Sequence, residues 1–201
     1  MHSVVVKIGG SILFSSNALD RLIVKVADQY PDSSLFVIVG GGELVEAIRI
    51  LHRLRPELDG ERLHWKCVEL LDTSWELACT IVPTAVPILT ASDLHAALAN
   101  PVPATYIVRV GCFYTEAIHS TLSEEVRPAL NWNTTTDALA WLLAYTIESD
   151  QLVIVKSCDI QENLSLCQAA SDEIVDGEIM NLSRCNPGIA VRFLSTFTQA
   201  E

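Results

Sequence analysis

Near the start of the chain, a lysine stands shortly before a pair of glycines, in the sequence Lys7-Ile8-Gly9-Gly10-Ser11. A lysine side chain supplies a mobile positive charge, and glycines let backbone N–H groups approach an anion closely. This combination is typical of a site for phosphate groups. The same residues also fit a buried strand with a surface lysine and an ordinary glycine turn, so the stretch alone leaves both interpretations open.

Two further polar clusters each follow a short apolar run. The first consists of three consecutive glycines: Gly40, Gly41 and Gly42. The second contains a lysine, a serine and an aspartate: Lys156, Ser157 and Asp159. Three glycines in a row cost conformational entropy that a plain helix start does not require. The triple glycine therefore favours a functional loop.

The two common glycine motifs for nucleotides do not fit this sequence. The dinucleotide fingerprint requires a third glycine where Val45 stands. The P-loop requires a lysine directly after its second motif glycine, where Ser11 follows Gly10. A dinucleotide-dependent oxidoreductase is therefore disfavoured, and a phosphate site of another kind remains.

The elements that must position these clusters alternate between strands and helices. Apolar runs predict strands at residues 4–8, 35–39, 87–90, 105–110, 152–155 and 190–194. Stripes at helical spacing predict helices at residues 17–29, from Glu43 to before Pro56, from a cap at Asp59 to before Pro83, from about Asp137, and at 177–184. Residues 111–128 are predicted as a loop with one helical turn.

This alternation is typical of a three-layer α/β sandwich with a mostly parallel central sheet. Ligands in such folds bind beyond the carboxyl ends of the strands. Each of the three polar clusters follows a predicted strand. We therefore expect them to meet at one pocket.

Composition limits the class of protein. The chain has 201 residues, of which 50% are hydrophobic, which is enough for one domain over residues 1–201. A formal net charge of −12 disfavours a nucleic-acid surface. The N-terminus lacks a signal-peptide pattern and no long apolar span occurs, so we expect a cytoplasmic protein with no membrane partner. The cysteines and histidines show no zinc-ligand spacing, so no protein-only metal site is predicted.

As an ordered set, the Lys-x-Gly-Gly-Ser motif, the triple glycine and a later Thr-Thr-Asp at a helix start resemble the amino acid kinase family, which includes aspartate, acetylglutamate and uridylate kinases. The resemblance extends from Val4 to about Asp159. It implies the family's α/β/α fold, phosphoryl transfer from ATP with Mg²⁺ to a small-molecule acceptor, and a homo-oligomer.

The resemblance also implies roles for individual residues. Lys7 would bridge the donor and the transferred phosphate, and Asp137 would orient that lysine. The residues for the nucleotide would be Gly9, Gly10, Ser11, Lys156, Ser157 and Asp159. Those for the acceptor would be Gly40, Gly41, Gly42, Asn133, Thr135 and Thr136. Asp137 has an alternative interpretation, because Thr134-x-x-Asp137 is also the pattern of a helix capping box.

Some positions depart from the family pattern. Ile160 stands where the family has a glycine, and Ser157 stands where it has an acid. Many members use a second catalytic lysine late in the chain, whereas Lys156 is the last lysine here and lies in the nucleotide stretch. These departures keep an alternative open, in which the chain is a nucleotide- or anion-binding module without turnover.

Within the family, the short length, the pair His64-Trp65 and the segment at 131–137 are most similar to a small subgroup. That subgroup is associated with the biosynthesis of one-carbon cofactors of the methanofuran or methanopterin type, and it includes an aminomethylfuran phosphate kinase. The resemblance therefore suggests an acceptor from that chemistry.

Overall fold

A computed structural model of the chain describes residues 2–14, 19–100, 102–161, 163–185 and 187–196. Within these ranges, one sheet contains six strands: β1 His2–Ile8, β2 Ser33–Val39, β3 Val86–Ile88, β4 Thr105–Val108, β5 Gln151–Lys156 and β6 Ala190–Ser195. Their spatial order is β3-β4-β2-β1-β5-β6, and every neighbouring pair is parallel. The carboxyl ends of the strands therefore share one edge of the sheet.

The helices alternate with the strands. They are α1 Gly10–Leu13, α2 Leu19–Gln29, α3 Glu43–Leu54, α4 Gly60–Ile81, α5 Ala91–Leu98, α6 Glu116–Thr121, α7 Thr136–Thr146, α8 Leu166–Ser171 and α9 Gly177–Cys185. In the part of the chain that the structure describes, none of them is long and apolar enough to cross a membrane.

Helices cover both faces of the sheet. Because successive residues of a strand point to opposite faces, β1 contributes to two separate cores. Val5 packs in the core that contains α7, whereas Val4 and Val6 pack in the core that contains α2. Residues Asp137–Ala144 of α7 are all buried. The three-layer α/β architecture predicted from the sequence is confirmed.

Some predicted boundaries differ from the observed ones. The strand predicted at residues 87–90 is Val86–Ile88, and the one predicted at 105–110 ends at Val108, before a 3₁₀ turn at Val110–Cys112. The helix predicted over residues 17–29 is described from Leu19, and its first two positions lie outside the described residues.

Besides the four-residue helix α1, two helices, α5 and α8, were not predicted. Helix α5 has a sequence signal of its own, because Thr90 and Asp93 form a capping box at its start. Ser165 caps α8 in a similar way, since its hydroxyl accepts a hydrogen bond from the backbone N–H of Gln168. Both helices are short, so an apolar stripe has few turns in which to become visible.

Candidate active site

The three polar strand ends lie side by side. Strand β1 pairs with β2 on one side and β5 on the other, and Ile8 is in register with both Val39 and Val155. The backbone N–H of Gly9 donates to the carbonyl of Val155 at 3.1 Å, and that of Gly40 donates to the carbonyl of Ile8 at 2.9 Å. The loops after β1, β2 and β5 therefore begin next to one another, as the sequence predicts.

The glycine loops after β1 and β2 are in direct backbone contact. A Cβ atom on Gly10 would overlap the backbone nitrogen of Gly42 and would lie 2.5 Å from the carbonyl oxygen of Gly40. Gly42 itself has a φ of +51°, in the left-handed region that favours glycine. Side chains at these positions would force the loops apart.

Asp137 binds two lysines at once. Its Oδ1 atom lies 2.8 Å from Nζ of Lys7, and its Oδ2 atom accepts a hydrogen bond from Nζ of Lys156 at 2.7 Å. Lys7 is on β1, Lys156 ends β5 and Asp137 is in the first turn of α7. Lys7 and Asp137 are buried, and Lys156 is largely so.

The ion pairs determine the protonation of this cluster. Burial by itself would raise the pKa of Asp137, but Lys7 and Lys156 outweigh burial, so the pKa lies below its usual value and the carboxylate is charged at neutral pH. Burial, together with repulsion from Lys7, lowers the pKa of Lys156, and Asp137 opposes that shift. The cluster therefore holds closely spaced charges away from water.

The capping-box interpretation of Asp137 is wrong. The helix cap is Thr135, whose hydroxyl accepts a hydrogen bond from the backbone N–H of Asp137 at 3.2 Å. The hydroxyl of Thr134 donates instead to the carbonyl of Ala129. The Asp137 carboxylate is thus directed to the two lysines.

A cavity of about 230 Å³ adjoins Lys7. Of the residues named from the sequence, those in its lining are Lys7, Gly10, Gly40, Gly41, Gly42, Thr135 and Thr136. Asn133 is exposed and does not line the cavity, whereas its neighbours Asn131 and Trp132 do. The structure therefore brings most of the predicted acceptor residues together beside the lysine.

The residues named for the nucleotide lie mostly outside this cavity. The hydroxyls of Ser11 and Ser157 are 3.0 Å apart and join the loops after β1 and β5. Gly9 precedes α1, and Asp159 is exposed on a separate cleft that Ile160 and β6 also line. Lys156, the last residue of β5, connects the two groups, because Ser157 follows it in the chain and its ammonium group donates to Asp137.

Sequence reasoning missed a charged group in the cavity wall. The guanidinium of Arg49 lies 5.4 Å from the centre of the Trp132 ring and forms an ion pair of 3.0 Å with Glu46. The indole N–H of Trp132 donates to Nδ1 of His52 at 2.7 Å. The spacing of Arg49, Glu46 and His52 on α3 could have suggested one polar helix face, but it could not have placed Trp132 against them.

Asp176 was also missed. Its carboxylate accepts hydrogen bonds from the backbone N–H and the hydroxyl of Thr135, at 3.0 and 2.5 Å, and from the backbone N–H of Ile179 at 2.9 Å. Burial raises the pKa of Asp176, and the nearby Asp137 raises it further. An aspartate just before the predicted helix at 177 was a readable cap signal.

His64 lines the cavity in its neutral form. Its Nε2 atom is 3.0 Å from the Tyr114 hydroxyl. Burial, with a contribution from His119, lowers the pKa of His64 to about 4. The pair His64-Trp65 thus belongs to an aromatic cluster with Tyr114, in which His64 and Trp65 meet edge to face.

This depressed pKa predicts a loss of stability in mild acid. The unfolded chain protonates His64 near the ordinary histidine pKa of 6.5, whereas the folded protein resists protonation until about pH 4. The unfolded state therefore binds more protons between these values, and stability falls as the pH drops through that window, by about 3 kcal/mol in full. Urea unfolding at pH 7 and pH 4.5 measures the loss, and His64→Gln should show a smaller one. Equal losses in both proteins would contradict the prediction.

Comparison with known proteins supports the fold through structure alone. No family model matches the chain, and no curated protein matches it by sequence. The solved UMP kinase from Ureaplasma parvum is similar with a TM-score of 0.65 and 13% identity over 96% of this chain and 89% of that chain.

Two other solved kinases are also similar. For the aspartate kinase from Synechocystis the TM-score is 0.65 at 13% identity, over 98% of this chain but 38% of that chain. For the uridylate kinase from Archaeoglobus fulgidus it is 0.56 at 17% identity, over 97% of this chain and 91% of that chain. The chain therefore shares the fold of these three kinases, as the resemblance of its ordered motifs implies.

Proposed function

We propose that the chain is an ATP-dependent small-molecule kinase, which transfers the γ-phosphoryl group to a carboxylate, a phosphate or a similar acceptor. One observation carries the proposal: two lysines converge on Asp137 where the glycine loops of β1 and β2 meet. Phosphoryl transfer depends on positioning and on neutralising charge, and fixed ammonium and backbone N–H groups supply both.

The residues present fit a bound nucleotide. Gly10 and Gly42 have no room for side chains, so the backbone itself forms the surface next to Lys7. When bound, ATP would supply the phosphoryl group, with Mg²⁺ held on its phosphates. Among the described residues no cluster of three or more His, Cys, Asp or Glu side chains is placed to hold a metal ion by itself.

Each part of the site has a proposed task. The ammonium groups of Lys7 and Lys156 neutralise negative charge that develops on the phosphoryl oxygens, and Asp137 keeps both groups in place. Backbone N–H groups of the glycine loops orient the same oxygens. The cavity bounded by Thr135, Thr136 and Trp132 receives the acceptor and keeps water from the reacting atoms.

Lys156 fills a role that the sequence left without a candidate. The resemblance assigned it to the nucleotide stretch, and many relatives have a further lysine later in the chain. Because Lys156 shares the Asp137 carboxylate with Lys7, we propose that it acts as the second catalytic lysine from the end of β5. The absence of a later lysine in the sequence is then compatible with turnover.

The test compares buried and exposed lysines in an ATP-consumption assay. Lys7→Ala and Lys156→Met are each expected to lower kcat by about 100-fold or more, because each removes a preorganised charge from the transition state. Lys66→Met is the matched control, since Lys66 is exposed and pairs with Glu69 on the surface. The acceptor panel contains UMP, aspartate, acyl carboxylates and furan phosphates. Unchanged turnover in Lys7→Ala would remove that lysine from the mechanism.

A binding module without turnover is the second candidate. The half-buried Ile160 favours it, because it replaces the glycine that the family has beside the nucleotide. Calorimetry with ATP, paired with the assay above, separates the two functions. ATP binding without acceptor-dependent release of ADP would support the binding module.

Three finer hypotheses complete the proposal. An acceptor from methanofuran-type cofactor biosynthesis rests on the sequence resemblance. A cytoplasmic location and a homo-oligomeric state rest on the sequence and on the same resemblance. Arg49 and Glu46 in the cavity wall suit a small acceptor with charged groups.

A further inference from the structure

The carboxylate of Asp176 lies where α7 and α9 begin. Its Oδ2 atom accepts hydrogen bonds from the backbone N–H and the hydroxyl of Thr135, at 3.0 and 2.5 Å, and from the backbone N–H of Ala138 at 3.3 Å. Its Oδ1 atom accepts one from the backbone N–H of Ile179 at 2.9 Å. Because N–H groups at a helix start are unpaired within the helix and carry partial positive charge, a carboxylate there fixes the start of both helices.

Thr135 links Asp176 to Asp137. The Thr135 hydroxyl donates to Asp176 and accepts a hydrogen bond from the backbone N–H of Asp137 at 3.2 Å. A hydroxyl that donates to a charged carboxylate is polarised and becomes a better acceptor. Asp176, which directly precedes α9, therefore holds the Thr135 hydroxyl in place, and that hydroxyl in turn holds the backbone of Asp137.

Asp176 also balances the charge of the lysine cluster. Lys7, Lys156 and Asp137 together carry one net positive charge, and an ionised Asp176 makes the group neutral. The charged groups that act on Lys156 come from three elements: Lys7 from β1, Asp137 from α7 and Asp176 from the start of α9. Removing Asp176 would leave Lys156 with less negative charge nearby.

We propose that Asp176 is a positioning residue, which aligns Asp137 and, through it, the ammonium groups of Lys7 and Lys156. Its effect on turnover rests on the proposed function, but its effect on the lysines does not. The variant Asp176→Asn keeps the shape of the side chain but removes its charge and places an amide near N–H donors. Asp172→Asn is the matched control, because Asp172 is exposed and accepts from Gln168 in the preceding turn.

The experiment observes the lysine ammonium groups by ¹⁵N NMR in the full chain. The Nζ signals are assigned by their loss in Lys7→Met and Lys156→Met. In Asp176→Asn we expect both signals to broaden and the alkaline titration of Lys156 to move to lower pH, whereas Asp172→Asn leaves both as in the wild type. With an acceptor that gives turnover, kcat should fall by about 10- to 100-fold in Asp176→Asn, which is the usual effect of changing a residue that orients the residues of a site.

A second variant keeps the test independent of folding. Thr135→Val removes the hydroxyl that links Asp176 to the backbone of Asp137 but leaves the Asp176 carboxylate in place. It should therefore broaden the same Nζ signals. Because both substitutions act on the same link, the double variant Asp176→Asn/Thr135→Val should lose no more activity than the more severe of the two single variants. Unchanged signals in folded Asp176→Asn, or in Thr135→Val if the former does not fold, would overturn the proposal. If no acceptor gives turnover in the wild type, the proposed function fails, while the NMR experiment still decides the role of Asp176.

Discussion

Asp137→Asn is expected to lower kcat by about 10³-fold, the largest effect of any single substitution in this site. The amide cannot hold two ammonium groups, because it keeps only one acceptor oxygen and carries no charge. Lys7 and Lys156 would then repel each other without a shared counter-ion. The same change leaves buried charges without a partner, which costs about 3–5 kcal/mol of stability. Steady-state kinetics and urea unfolding measure the two losses.

A second carboxylate of this chain provides the control for Asp137. Asp72 also binds a cation through two contacts: Nε of Arg109 donates to its Oδ1 atom at 2.9 Å, and Nη2 of the same arginine donates to its Oδ2 atom. This pair, however, is about one third exposed. Solvent weakens such pairs, so Asp72→Asn should cost about 1 kcal/mol or less and leave kcat unchanged. A kcat in Asp137→Asn within tenfold of the wild type would show that the lysines do not need their shared carboxylate.

Gly10→Ala is expected to lower kcat by about 100-fold and to destabilise the fold by roughly 2–4 kcal/mol. The added methyl group would occupy the position of the Gly42 backbone, so the loops after β1 and β2 must separate. Backbone atoms cannot rotate out of the way as a side chain can. Separation moves the glycine backbone that lines the cavity beside Lys7, and displacements of about 1 Å are costly for transfer reactions.

Two other glycines make this prediction specific. A Cβ atom on Gly9 would have an ordinary contact of 3.5 Å with the carbonyl of Val155, so Gly9→Ala should change stability by less than about 1 kcal/mol. A Cβ atom on Gly177 would meet nothing within 4 Å, so Gly177→Ala should keep both stability and kcat. If Gly10→Ala unfolds at the same urea concentration as Gly177→Ala, the contact between the loops does not constrain the site.

The fold was predictable because its strongest signals are local. The strands β1, β2 and β5 are continuous apolar runs, and each leads directly into a polar cluster. In a parallel sheet, that pattern brings the clusters to one edge whatever the order of the strands. The glycine loops meet beside Lys7 because β1 and β2 are also neighbours in the sheet, and the local pattern does not specify that pairing.

The partners within the site were less predictable. Lys156 and Asp176 reach Asp137 and Thr135 from elements that are distant in the chain, and nothing in their spacing specifies the contact. Local patterns even favoured another partner, since Thr134 stands at capping-box distance from Asp137. The structure resolves the competition because the lysines offer full charges, whereas a cap offers partial ones.

The burial of α7 has a consequence for the thermal unfolding and inactivation of this protein. Residues from Asp137 to Ala144 form an unbroken buried run, so the helix that presents the aspartate is also the centre of one hydrophobic core. Local opening concentrates in segments with few buried contacts, and this helix is the opposite case. Loss of activity and global unfolding should consequently occur in one transition at the same temperature. No temperature range should exist in which a folded but inactive protein accumulates.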